Sequence, residues 1–191
     1  GGINTFEEYM LDESLLAPIV KAALPYLPTD SLRDHFQQSV ESLIGLADPK
    51  AHRLVLAHLF QPHLPFLWDA QGNPVPVLSY WPVVTLYAAQ IETMGMNLAD
   101  YTPRMKGDLA TLNPKLLAMV DAIAAKDPGG IIVLFSDHGS RYSLALKQTE
   151  WYHSFLAART PGHPMLFASD PKPTNILRTL IPTYVTGGVS P

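Results

Sequence analysis

The chain has no cysteine. That excludes disulfides, a thiolate metal site and a thiol nucleophile. Charge is also sparse: 13 Lys and Arg stand against 17 Asp and Glu, for a net charge of −4. Such a balance gives no basic footprint for nucleic acid, and none is expected as a partner. No apolar run approaches the roughly 20 residues needed to span a bilayer. The N-terminus shows no basic segment followed by an apolar core. A Gly-x-Ser-x-Gly nucleophile elbow and a Gly-rich phosphate loop are missing as well. Gly1-Gly2 reads as a processing scar, so the chain is expected to be a piece of a longer protein.

What is present is a hydrophobic fraction of 47% over 191 residues, enough for a domain with a real core. Eighteen prolines punctuate it. Helical spacing predicts a helix over 5–24, with Thr5 and Glu8 as a capping box. A second is expected over 30–46, burying Phe36, Val40, Leu43 and Ile44. Arg53 to Phe60 reads as a buried strand, and residues 69–74 as a turn. Helices are predicted over 83–98 and 113–126, separated by a loop at Tyr101 to Asp108 that Pro103 and Gly107 break. Ile131 to Phe135 reads as a fully buried strand. Gln148 to Ala158 reads as a short helix, Met165 to Ala168 as a short strand and 174–181 as a closing helix. This alternation predicts an α/β fold, a three-layer sandwich around a mostly parallel sheet. The expected division is a helical segment over 1–49 and an α/β unit over 50–191, packed as one.

The most informative stretch is the end of the 131–135 strand, Ser136-Asp137-His138-Gly139. An Asp-His pair at the C-terminal end of a central α/β strand sits where such folds place ligands. A carboxylate oxygen beside an imidazole nitrogen suits Zn²⁺ or Mn²⁺. A second polar cluster, His58 to His63, follows the 53–60 strand. Parallel strands would put both clusters on one edge of the sheet and bring His63 near Asp137 and His138. An isolated Asp-His-Gly triplet is common by chance, and an Asp at a strand end often serves as a cap. His58 is expected to be a buried, hydrogen-bonded core residue. His35 and His52 are expected at the surface; so are His153 and His163, with lining the site as their alternative.

The segments "LVLAHLFQPHLPFLWDAQGNPV" and "IIVLFSDHGSRYS" together resemble the sulfatase-like hydrolases and transferases of the alkaline phosphatase superfamily, the branch with lipoteichoic acid synthases and phosphoethanolamine transferases. Near the C-terminus, Pro173, Thr174, Asn175 and Arg178 match the segment that opens the closing helix in bacterial members. The resemblance covers about residues 50–186. It implies that Asp137 and His138 are the late metal-ligand pair, that His63 is a catalytic residue contacting the transferring phosphoryl or sulfuryl group, and that Ser140 and Arg141 touch substrate. A phosphate- or sulfate-ester substrate, a divalent metal and a position on the outer face of the cytoplasmic membrane, periplasmic or extracellular, in a longer membrane-anchored protein follow from the same resemblance.

The chain departs from that pattern before residue 50. It has no strand ending in an acidic ligand and no Thr or Ser nucleophile at a helix start. The expectation is therefore the C-terminal part of an alkaline-phosphatase-like domain, whose missing N-terminal half is its partner. The parent protein is read as an enzyme and this chain alone as inactive, with little bound metal. The alternative is a non-catalytic α/β module of the same fold that binds a partner or an anionic envelope component. A truncated sheet would expose an edge strand, which favours a homodimer.

Overall fold

A computed structural model describes residues 30–75, 98–139, 152–167 and 172–186. The helix expected over 5–24 lies outside these residues, as does all but the last residue of the one expected over 83–98. The element order is helix α1 (Asp30–Leu46), helix α2 (Leu98–Lys126), strand β1 (Ile132–Phe135), strand β2 (Leu156–Arg159), a 3-10 turn (Pro173–Asn175), helix α3 (Ile176–Ile181) and a π-helical turn (Pro182–Thr186). The described part is thus mixed α/β, with helices and one small sheet.

Helix α1 follows its sequence pattern. Phe36 and Val40 are buried, and Leu43 and Ile44 pack against the same cluster. Opposite them stand Leu112 and Met119 of α2, with Leu67 and Trp68 from the intervening loop. Lys126 closes the arrangement at its far end. Its ammonium donates to the Ile44 carbonyl at 3.1 Å, where the last turns of α1 and α2 both gather negative partial charge.

Helix α2 runs 29 residues and absorbs the segment expected to be a loop. Buried Tyr101, Asp108, Leu112 and Met119 recur at helical spacing along one stripe. That stripe carries the helix through Pro103 and Pro114, which each forfeit a backbone bond. Gly107 is needed for a packing reason. A Cβ there would sit 3.1 Å from the Ala70 nitrogen, so its absence lets the 64–70 loop lie directly on the helix.

The 53–60 segment is not a strand. It runs without regular structure, and Leu54 and Leu56 stand 74% and 83% exposed. A strand of this composition needs a neighbouring ladder, and no named strand lies beside it among the described residues. The 69–74 turn forms as expected, with Gly72 at φ 82° and its N–H donating to the Asp69 carbonyl. Trp68 bridges to Pro74 across it.

Strand β1 is where the sequence places it, although half-buried rather than fully buried. Its partner is unexpected. Leu156–Arg159, read as the end of a helix, pairs antiparallel with β1, Ile132 opposite Arg159 and Phe135 opposite Leu156. The described sheet is therefore two-stranded and antiparallel, and the parallel pairing that would align two strand ends is not among its contacts. Residues 165–167 form a turn in place of the expected short strand. The closing helix is present, opened by the Pro173–Asn175 turn.

Arg159 ties the sheet to the end of α2. Its guanidinium donates to the Gly130 carbonyl at 2.6 Å and the Pro128 carbonyl at 2.7 Å. Hydrogen bonds from a charged donor contribute about 1.5–3 kcal/mol, less where solvent reaches them. Arg159→Ala is expected to lower stability by about 1–2 kcal/mol, read as a drop in the urea midpoint. Lysine at this position should recover only part of the loss, because one ammonium cannot reproduce the planar fork.

Candidate functional site

Asp137 and His138 sit just past the end of β1, beyond Ser136. Ser136 itself extends the sheet: its N–H donates to the Phe155 carbonyl at 3.0 Å, and its Oγ accepts from the Phe155 N–H at 2.8 Å. The β1 end is thereby pinned one residue beyond its ladder, which fixes where the Asp-His pair begins. The His138 N–H donates back to Asp137 Oδ1 at 3.0 Å.

The imidazole of His138 is oriented by its own backbone. Nδ1 lies 2.7 Å from the Gly139 carbonyl oxygen. A carbonyl only accepts, so Nδ1 carries the proton and Nε2 presents its lone pair. That nitrogen lies 3.5 Å from Asp137 Oδ2. In the neutral imidazole, two acceptors then face each other, and a cation between them relieves the repulsion. Protonation of Nε2 does so, and so does a divalent ion. Two ligands of one tetrahedral Zn²⁺ lie roughly 3.3 Å apart, given metal–ligand bonds near 2.05 Å. The observed gap fits a pair of adjacent ligands. Asp137 is open to solvent, its side chain 79% exposed, while that of His138 is 28% exposed.

His63 is held in the same manner on a different element. Its Nδ1 lies 2.8 Å from the Leu64 carbonyl, its N–H donates to the Phe60 carbonyl at 3.0 Å, and its ring tilts against Phe60 at 4.6 Å. Leu64, Pro65, Phe66, Leu67 and Trp68 follow as a run of buried residues, so His63 sits at the lip of a loop anchored in the core.

Asp108 anchors that loop. Its carboxylate is 0% exposed. Oδ1 accepts from the Leu67 N–H at 2.8 Å and the Trp68 N–H at 3.0 Å. One turn further along α2, the Thr111 hydroxyl donates to the Asp69 carbonyl at 2.9 Å. From α1, Arg33 donates to the Leu67 carbonyl at 3.3 Å. Burial pushes the Asp108 carboxyl above the ordinary carboxylate range, offset in part by the Trp68 and Leu67 N–H groups. Its Oδ2 has no hydrogen-bond partner among the described residues.

Sequence reasoning did not single out Asp108, because it lay in a presumed loop. The signal was present: Asp108 stands seven residues after Tyr101 and four before Leu112. A helix read straight through Gly107 would have placed its carboxylate on the buried stripe.

Asp137 and His138 converge; among the described residues, no set of three or more His, Asp and Glu side chains is arranged to hold a metal ion. Ser140 and Arg141 lie outside the described residues. His58, expected in the core, is exposed, because the segment that carries it is not a buried strand. His35, His52, His153 and His163 are exposed as expected. No helix among the described residues is long and apolar enough to cross a membrane. Comparison with protein-family models, with curated proteins and with solved structures finds no match to this chain.

Proposed function

We propose that this chain contributes the late half of a divalent-metal site to a phospho- or sulfo-ester hydrolase or transferase, with Asp137 and His138 as the ligands. The observation that supports this reading is the facing pair of acceptors. His138 Nε2 and Asp137 Oδ2 stand 3.5 Å apart, and the Gly139 carbonyl holds the imidazole in the tautomer that leaves Nε2 for a metal. Two such donors are half of the usual complement, so the remaining ligands and the nucleophile come from elsewhere in the proposed parent domain, a three-layer α/β sandwich on a mostly parallel sheet. A divalent ion bound there would activate a hydroxyl nucleophile and neutralise charge on the ester anion. In this reading His63 contacts the transferring phosphoryl or sulfuryl group and stabilises charge on its non-bridging oxygens. In this reading Ser140 and Arg141 contact the anionic substrate, and the centre works at the outer face of the membrane in a longer protein.

The chain itself is expected to bind Zn²⁺ or Mn²⁺ weakly. In a calorimetric titration, Asp137→Ala and His138→Ala should each remove most of the binding, and the double variant should remove little more. Undiminished zinc binding in both single variants would show that the pair is not the ligand set. In the longer protein, loss of catalysis and of metal content in the same two variants would separate this role from that of a non-catalytic module, which would keep its partner binding without the metal.

A further inference from the structure

Leu54, Val55 and Leu56 are exposed, and so are Leu117 of α2, Phe155 and Leu177 of α3. The backbone separates these two groups. Leu117 and Leu177 lie inside helices, whose N–H and C=O groups bond within the helix. Both backbone groups of Phe155 are taken by Ser136. Residues 52–59, by contrast, make no backbone hydrogen bond to another described residue, and residues 52–58 are all exposed. A protease cleft needs both properties at once: main-chain groups free to bond to the enzyme, and side chains free to enter its pockets.

The contacts that hold the two sides together bypass this stretch. Upstream, α1 buries Phe36 and Val40 against Leu67, Trp68, Leu112 and Met119, all of which lie downstream. Arg33 donates to the Leu67 carbonyl, and Lys126 to the Ile44 carbonyl. The chain is fastened on either flank, where the Ala51 N–H donates to the Asp48 carbonyl and the His63 N–H to the Phe60 carbonyl. A break between Arg53 and Ala57 therefore severs no backbone hydrogen bond among the described residues.

We infer that residues 53–57 are a cleavage site for an endoprotease with an apolar specificity pocket, and that the chain is nicked there without coming apart. Leu54 or Leu56 fills the pocket, while Arg53 stays by its own Asp48 at 4.0 Å. Hydrolysis breaks one peptide C–N bond. Water supplies a hydroxyl to the carbonyl carbon and a proton to the departing nitrogen; one proton then passes from acid to amine, leaving a carboxylate upstream and an ammonium downstream. Both charges form at the surface, so neither has to be buried. The cut needs only local accommodation, and it proceeds from the folded chain rather than through global unfolding.

The test uses the 191-residue chain and thermolysin, which cuts before large apolar residues. Mass spectrometry of a native digest should place the first cuts among the described residues before Leu54, Val55 or Leu56, ahead of any at Leu117, Phe155 or Leu177. The products on either side of the nick should co-elute on a sizing column and separate in denaturant. Combined Leu54→Asp, Val55→Asp and Leu56→Asp should slow cleavage of this stretch at least tenfold with an unchanged circular dichroism spectrum. In Arg159→Ala, weakened far from the site in sequence, cleavage here should be as fast as in the wild type. Earlier cuts at Leu117, Phe155 or Leu177, or products that separate without denaturant, would overturn the inference. So would a several-fold faster cut in Arg159→Ala that matches its loss of stability, since the cut would then pass through the unfolded chain.

Discussion

Asp108→Ala is expected to destabilise the protein by about 2–4 kcal/mol, because it leaves the buried N–H groups of Leu67 and Trp68 without an acceptor. Each orphaned donor costs about 1–3 kcal/mol, and release of a buried, half-satisfied carboxylate returns part of that. For a chain of this length the loss corresponds to a melting temperature lower by roughly 10 °C. Asp108→Asn separates the acceptor from the charge. The amide oxygen can keep both N–H bonds, and the amide nitrogen takes the place of an oxygen that already has no partner among the described residues.

The pH dependence of the two proteins should then differ in a definite direction. Burial raises the Asp108 carboxyl above its ordinary value, so the folded chain holds this proton more tightly than the unfolded chain does. Well below about pH 4 both states are protonated and Asp108 contributes no slope. As the pH rises through the unfolded value toward the raised folded value, the unfolded state ionises first and stability falls. Above the folded value the loss is complete and the curve is flat. The wild-type urea midpoint should therefore decline relative to that of Asp108→Asn on going from pH 4 to neutrality. A constant difference between the two proteins across that range would show that Asp108 does not carry the effect.

Much of the fold could be read from the sequence wherever local pattern and tertiary environment agree. Helix α1 and the second half of α2 have clear stripes, and strand β1 has a short β-branched run between a Gly-Gly turn and a polar end. The failures share a physical cause. Arg53 to Phe60 has the composition of a buried strand, but composition does not supply a neighbouring ladder, and the segment stays on the surface. Pro103 and Gly107 are local breakers that read as a loop. Tertiary contact overrides them, since the helix gains the buried Asp108 bonds and the close approach of Ala70 by continuing through. Leu156–Arg159 has two alanines and no strand signature. Pairing with β1 gives it its structure.

The candidate site divides along the same line. The Asp137–His138 contact could be foreseen because neighbouring residues at a strand end must lie close. The convergence of His63 on that pair was inferred from parallel strands, and the described sheet has no parallel pair to impose it. What the sequence did not reveal is how His63 is held. Its loop is fixed by a carboxylate 45 positions away on a helix that the breakers disguised.

The other large effect is expected at Trp68, where the same loop meets the core. Its ring is 7% exposed and lies edge-on to Phe36 of α1, with centroids 5.5 Å apart and planes at 70°. Lys115 of α2 places its ammonium 5.6 Å from the ring centroid. One side chain therefore joins both helices to the loop that ends in His63. Trp68→Ala should cost about 3–5 kcal/mol, from lost burial and the cavity left between α1 and α2. The edge-on aromatic contact contributes about 0.5–1.5 kcal/mol of that, and the partly solvated ammonium less than 1 kcal/mol. Trp68→Phe keeps a ring against Phe36 and should fall between, at about 1–2 kcal/mol. Because the two rings share one contact, Phe36→Ala combined with Trp68→Ala should cost less than the sum of the single losses. Chemical denaturation of the four proteins checks this directly: strict additivity would mean that Trp68 is held by the loop backbone and Lys115 rather than by Phe36.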